Sequence, residues 1–83
     1  MKKVYTENGY NIEATIEGKG IDAIAHIKYN GIDIGTLVKG LMYRSERFVW
    51  VPKQEEHGAG VLHYQNIWEA SKDLWKLYKK ENM

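Results

Sequence analysis

The sequence predicts an α+β fold, an antiparallel β-meander of four to five strands followed by one C-terminal amphipathic helix, in a single domain over residues 1–83. Three observations carry that prediction. Apolar and polar residues alternate with a period of two through the first two-thirds of the chain, as on half-buried strands. Asn8-Gly9 and Asn30-Gly31 stand between such runs, and Asn-Gly supplies the two positive φ angles of a two-residue hairpin turn. From about Leu62 the apolar period lengthens to that of a helix.

Each element follows from its residues. Lys2 to Thr6 is a short first strand. Tyr10, Ile12, Ala14 and Ile16 alternate with Asn11, Glu13, Thr15 and Glu17 as the second. Gly18-Lys19-Gly20 is a turn. Ile21, Ala23, Ala25, Ile27 and Tyr29 alternate again, with Asp22, His26 and Lys28 opposite and Ile24 interrupting the polar face. After Asn30-Gly31, the run Ile32, Ile34, Leu37-Val38 is the partner strand. Gly35 within it suggests a bulge or a close backbone approach. Lys39 to Met42 is ambiguous, and Arg44-Ser45-Glu46-Arg47 is a polar turn. Phe48-Val49-Trp50-Val51 is a dense β-forming run that Pro52 ends, because proline lacks the ladder donor.

Strands therefore occupy about 2–52, a polar loop 53–61 and a helix about 63–80. On that helix Tyr64, Ile67, Trp68, Ser71, Leu74, Trp75 and Tyr78 share one face, with Leu77 outside it. Lys72, Lys76, Lys79 and Lys80 form a second stripe, centred roughly 130° away at helical spacing. Glu69 and Asp73 lie within pairing distance of these lysines.

Composition excludes several classes of function. With no cysteine, disulfides, a thiolate metal site and a cysteine nucleophile are ruled out, and a reducing cytoplasm is the expected location. No apolar run reaches the ~18 residues of a membrane helix, and the basic start has no apolar segment of a signal peptide behind it. No phosphate-binding glycine loop is present, and neither Ser45 nor Ser71 sits in a nucleophile elbow. His26, His57 and His63 lack ligand spacing, and the Glu55-Glu56-His57 stretch reads as a solvated loop. A non-catalytic protein without metal or cofactor is expected.

Binding is better represented. Arg44 and Arg47 bracket a hairpin tip beside Tyr43, Phe48 and Trp50. Guanidinium groups and aromatic faces together hold phosphates and stack on bases. Arg44, Arg47, Lys53, Lys72, Lys76, Lys79 and Lys80 are the candidate nucleic-acid contacts, and Tyr43, Phe48 and Trp50 the candidate stacking or interface residues. The same charges also describe a solvated turn and a soluble helix face. With 12 Lys+Arg against 11 Asp+Glu, the whole chain attracts no polyanion, so any such role requires local clustering. Glu13, Glu17, Asp22 and Asp33 in the early strands would leave one side less basic. Val49 and Val51 point away from Trp50, so this strand is apolar on both faces. One helix covers one face, and the other argues for a subunit partner.

Two of these segments resemble a known family. Ala23-Ile24-Ala25-His26-Ile27 is similar to the A-I-A-S-I opening of the SpoVG family, the stage V sporulation protein G or septation regulator proteins. Phe48-Val49-Trp50-Val51-Pro52 resembles its F-V-A-M-P motif, at matching separation. The likeness covers about half the chain. Lys53-Gln54 stand where the family has Ser-Lys, and the helix is richer in Trp and Tyr. The resemblance implies a small cytoplasmic bacterial regulator that dimerises through its sheet and binds DNA or RNA. Basic residues toward its C-terminal helix are implicated there, here by position Lys72, Lys76, Lys79 and Lys80. The alternative is a protein-interaction module, such as a phage- or mobile-element-encoded inhibitor of a host factor, since Trp, Tyr and Arg commonly anchor interfaces.

Overall fold

The computed structural model describes residues 1–41, 48–55 and 66–82. Five antiparallel strands follow one another across a single sheet: β1 (Lys2–Glu7), β2 (Tyr10–Glu17), β3 (Ile24–Tyr29), β4 (Ile32–Leu41) and β5 (Phe48–Pro52). One helix, α1 (Ile67–Asn82), packs on one face of the sheet. This is the α+β meander with a C-terminal helix that the periodicity predicts.

The hairpins form where the turn chemistry places them. Asn8 and Gly9 have φ of 52° and 81°, and Asn30 and Gly31 of 52° and 85°, the paired positive angles of a two-residue hairpin turn. In a meander the first and third connections lie at the same end of the sheet, so both Asn-Gly turns share one end.

Two boundaries differ from expectation. Ile21 does not open β3. Gly20–Asp22 is instead a 3₁₀ turn, with the Asp22 N–H donating to the Lys19 carbonyl at 3.2 Å and the Ala23 N–H to the Gly20 carbonyl at 3.3 Å. That tight connection leaves Ile21 facing solvent. The ambiguous stretch after Val38 continues β4, because Lys39, Gly40 and Leu41 pair with Trp50, Val49 and Phe48. Pro52 is the last residue of β5, the strand end the sequence places there. It pairs with Leu37, and its missing donor is tolerated because β5 is an edge strand.

Lys53–Glu55 form a further 3₁₀ turn. The Arg44-Ser45-Glu46-Arg47 turn, the rest of the 53–61 loop and the expected helix start near Tyr64 lie outside the described residues. In α1 the Asn66 side-chain oxygen accepts the Glu69 N–H at 2.9 Å, which caps the first turn. At the far end the Asn82 side-chain amide donates to the Tyr78 carbonyl at 3.0 Å.

The main core joins Ile12, Ala14, Ala25, Ile27, Ile34 and Leu37 of the sheet to Ile67, Ala70 and Leu74 of α1. Gly35 serves both roles its sequence position suggests. The β3–β4 register shifts at Ile27/Lys28, with Ile27 opposite Gly35 and Lys28 opposite Asp33, so Ile34 is the extra residue of a bulge. Gly35 has φ of 128°, and a Cβ there would lie 3.3 Å from Leu74 Cδ1. Ser71 is fully buried and donates its hydroxyl to the Ile67 carbonyl at 2.7 Å. A small satisfied side chain at that point lets the helix lie close to the sheet.

The opposite face is closed at its β4–β5 end. Val38, Val49 and Val51 cluster with Ile24 there and are 9%, 2% and 3% exposed in the single chain. The open apolar second face inferred from Val49 and Val51 is therefore absent: this patch is already buried without a subunit. Toward β1 and β2 the face turns polar, with Lys2 paired to Glu13 and His26 Nε2 3.4 Å from Glu17 Oε2.

Candidate nucleic-acid interface

Two tyrosines adjoin the two Asn-Gly turns. Tyr10 opens β2 and Tyr29 closes β3, so both lie at the turn end of the sheet, and strand alternation puts both on the face covered by α1. The register sets Ile12 opposite Tyr29, which makes Tyr10 its diagonal neighbour. The two rings stack at 5.2 Å with 29° between planes.

The helix extends this stack. Trp75 lies against Tyr29 at 4.3 Å and 10°, and Tyr78 against Trp75 at 5.7 Å and 13°. Four rings from three elements thus form one continuous ladder, with Tyr29 between Tyr10 and Trp75. Tyr5 and Trp68 make a separate stack at 5.1 Å further along the helix. Each such pair adds about 0.5–1.5 kcal/mol beyond its buried area, so the ladder is held in place before any ligand arrives.

Lys72, Lys76 and Lys79 follow at helical spacing along the edge of α1 beside these rings. With Glu7, Asn8 and the rings of Tyr10, Tyr29 and Trp75 they line a groove of about 310 Å³. Glu7 Oε2 is 2.5 Å from Lys72 Nζ, and that hydrogen bond holds the ammonium above its usual range. Lys79 Nζ lies 5.4 Å from the Trp75 ring centroid, a cation–π distance. Among the described residues no carboxylate pairs with Lys76 or Lys79. Desolvation, followed by the charges of Tyr10 and Glu7, pushes the Tyr29 phenol above its usual value. Among the residues lining the groove, three lysines thus stand with one carboxylate, Glu7. Such a groove can neutralise phosphates at one wall and hold flat heterocycles on the other.

The sequence candidates divide accordingly. Lys72, Lys76 and Lys79 come together. Lys80 is exposed on α1 but does not line the groove. Lys53 is exposed just past β5, the sheet edge furthest from β1, and is not joined to the helix lysines. Trp50 is half-buried against the main core, with Lys39 Nζ 4.3 Å from its ring centroid. That burial lowers the Lys39 pKa. Phe48 is exposed at the start of β5. Tyr43, Arg44 and Arg47 lie outside the described residues, as do His57 and His63. Among the described residues no group of His, Asp and Glu could hold a metal ion, and no helix is long and apolar enough to cross a membrane.

Glu7, Asn8, Tyr10 and Tyr29 are members of the groove that sequence reasoning missed. The signal for the tyrosines is present: each abuts an Asn-Gly turn, and a meander brings those turns to one end. Glu7, an early-strand acid outside the expected set of Glu13, Glu17, Asp22 and Asp33, sits among the groove lysines.

The chain matches no family model, no curated protein and no solved structure in these comparisons.

Proposed function

We propose that the chain is a small, non-catalytic nucleic-acid-binding regulator that takes DNA or RNA in the groove of Lys72, Lys76 and Lys79. The observation that carries this reading is the adjacency of those three lysines to the Tyr10–Tyr29–Trp75–Tyr78 ladder. Phosphate-neutralising groups and pre-stacked rings in one groove are the two components of a nucleic-acid surface. They also reconcile a net charge of +1 with a polyanionic ligand, since the positive field is local. Lys80 extends the phosphate track along α1, and Arg44, Arg47 and Lys53 are further phosphate contacts. The protein works in the cytoplasm as a homodimer, as the likeness of Ala23–Ile27 and Phe48–Pro52 to the SpoVG family implies.

The test is an anisotropy titration of labelled single-stranded DNA, duplex DNA and RNA between about 50 and 200 mM salt. Affinity is expected to fall with a log–log slope of about −0.7 to −0.9 per neutralised phosphate, roughly −2 to −3 from the three groove lysines and steeper with each further contact among Lys80, Arg44, Arg47 and Lys53. Absence of binding to all three near 50 mM salt would overturn the proposal. A protein partner retained at high salt in that case would favour the interaction module instead, because anchored apolar contacts survive screening.

A further inference from the structure

We infer that the groove selects single-stranded nucleic acid and that Tyr10 is the ring on which an incoming base stacks, a conclusion that rests on the nucleic-acid reading above. The ladder itself supplies the reason. Tyr29 is half-buried and already stacked against both Tyr10 and Trp75, so it is occupied by its own neighbours. Tyr78 is half-buried against the core. Tyr10 is 46% exposed, and among the described residues only Tyr29 stacks on it. Its second face is therefore the open end of a rigid four-ring stack, and a base placed there becomes the next ring.

Only an unstacked base can take that place. In a duplex each base already has its faces covered by its neighbours, and a protein meets only base edges and phosphates. A groove of about 310 Å³ is at the small end of ligand pockets, about 300–1,000 Å³. It suits a base and its flanking phosphate rather than a double helix. Lys76 and Lys79, the two lysines there that no described carboxylate pairs with, supply the phosphate contacts on the same side. Stacking is indifferent to the sugar, so the shared chemistry is a single strand of DNA or RNA.

The experiment titrates the full chain with four probes of about 12 nucleotides, within the usual span of single-strand sites: oligo-dT, oligo-rU, an abasic DNA strand and a DNA duplex. The oligo-dT or oligo-rU strand is expected to bind at least about tenfold tighter than the abasic strand and the duplex, and the better of the two identifies the sugar. Tyr10→Ala is expected to weaken it by about 5- to 150-fold, the range for loss of one base–aromatic stack, with the salt slope unchanged because no phosphate contact is lost. Tyr10→Phe should bind like the parent. Tyr10→Leu, which keeps an apolar side chain in β2 without a ring, should bind like Tyr10→Ala, and circular dichroism of each variant checks the fold. Equal affinity for base-bearing and abasic strands, preferred duplex binding, or a Tyr10→Leu variant that binds as the parent would overturn the inference while leaving nucleic-acid binding intact. Failure of the parent to bind any probe would overturn both.

Discussion

The two halves of the helix-covered sheet face are built from different residues for different ends. Over β4 the contact is aliphatic and close: Leu74 meets the backbone of Gly35, and Ala70, Ser71 and Leu37 are fully buried beside it. At the Asn-Gly turn end of β2 and β3, beyond the buried Ile12, Ala14, Ala25 and Ile27, the contact is aromatic and half-open, with Tyr10, Tyr29, Trp75 and Tyr78 stacked beside three lysines. Small residues let helix and sheet approach until no water remains, and such packing stabilises without offering a surface. Aromatic rings with polar tips hold the same two layers together while keeping one edge wet. In a chain of 83 residues with no cysteine, the first half supplies stability and the second the surface of the proposed binding site.

Substitutions separate the two halves, and the largest effect belongs to the closed one. Leu74→Ala should destabilise the fold by about 2–5 kcal/mol in a denaturant titration, and the little binding it affects should be lost only through unfolding. Gly35→Ala should cost about 1–3 kcal/mol, because it forces a Cβ onto a φ of 128° and against Leu74 Cδ1. Lys76→Glu with Lys79→Glu should act in the opposite way. The melting temperature should hold, while affinity at low salt falls at least tenfold and the single-strand salt slope flattens by about 1.4, two phosphates' worth.

Glu7→Gln sharpens the comparison further, since it removes the carboxylate that lines the groove and bonds Lys72. Affinity is expected to rise severalfold at low salt, and the gain to shrink as salt screens it.

The smallest effect is on titration. Tyr29 has a raised pKa, mainly from desolvation, and Lys72 a raised one, mainly from its bond to Glu7. In both cases the folded state keeps its proton longer than the unfolded chain. The stability they add is therefore complete below the ordinary values near pH 10 and declines as pH rises through the raised ones. Absorbance at the phenolate band should show Tyr29 ionising late, and Tyr29→Phe should remove that late step.

Much of this fold can be read from local chemistry. The Asn-Gly pairs, the alternation of Tyr10 to Glu17 and the glycine at position 35 each act within a few residues, so their consequences are visible in the sequence. Ile21 misleads because it keeps the alternation, although the glycines around it bend the chain into a 3₁₀ turn. The helix start is legible in hindsight as Asn66-x-x-Glu69, a polar cap three residues before an acid.

The site is harder to read because it is assembled across long separations. Lys72, Lys76 and Lys79 announce themselves as a stripe. Glu7, Tyr10 and Tyr29 join them only once the meander brings two turns to one end and the helix crosses above. Trp50 shows the converse: its place beside a basic turn in sequence suggests a ligand contact, whereas strand alternation turns it into the core.

The most direct test of this division of labour is the backbone and indole amide spectrum of the labelled protein, recorded by NMR as a short oligo-dT is added at low salt. We expect the largest shifts at Tyr10, Tyr29, Trp75, Lys76 and Lys79, with Val38, Val49, Val51 and Gly35 unmoved. Shifts concentrated on β4 and β5 with the aromatic ladder silent would contradict the account.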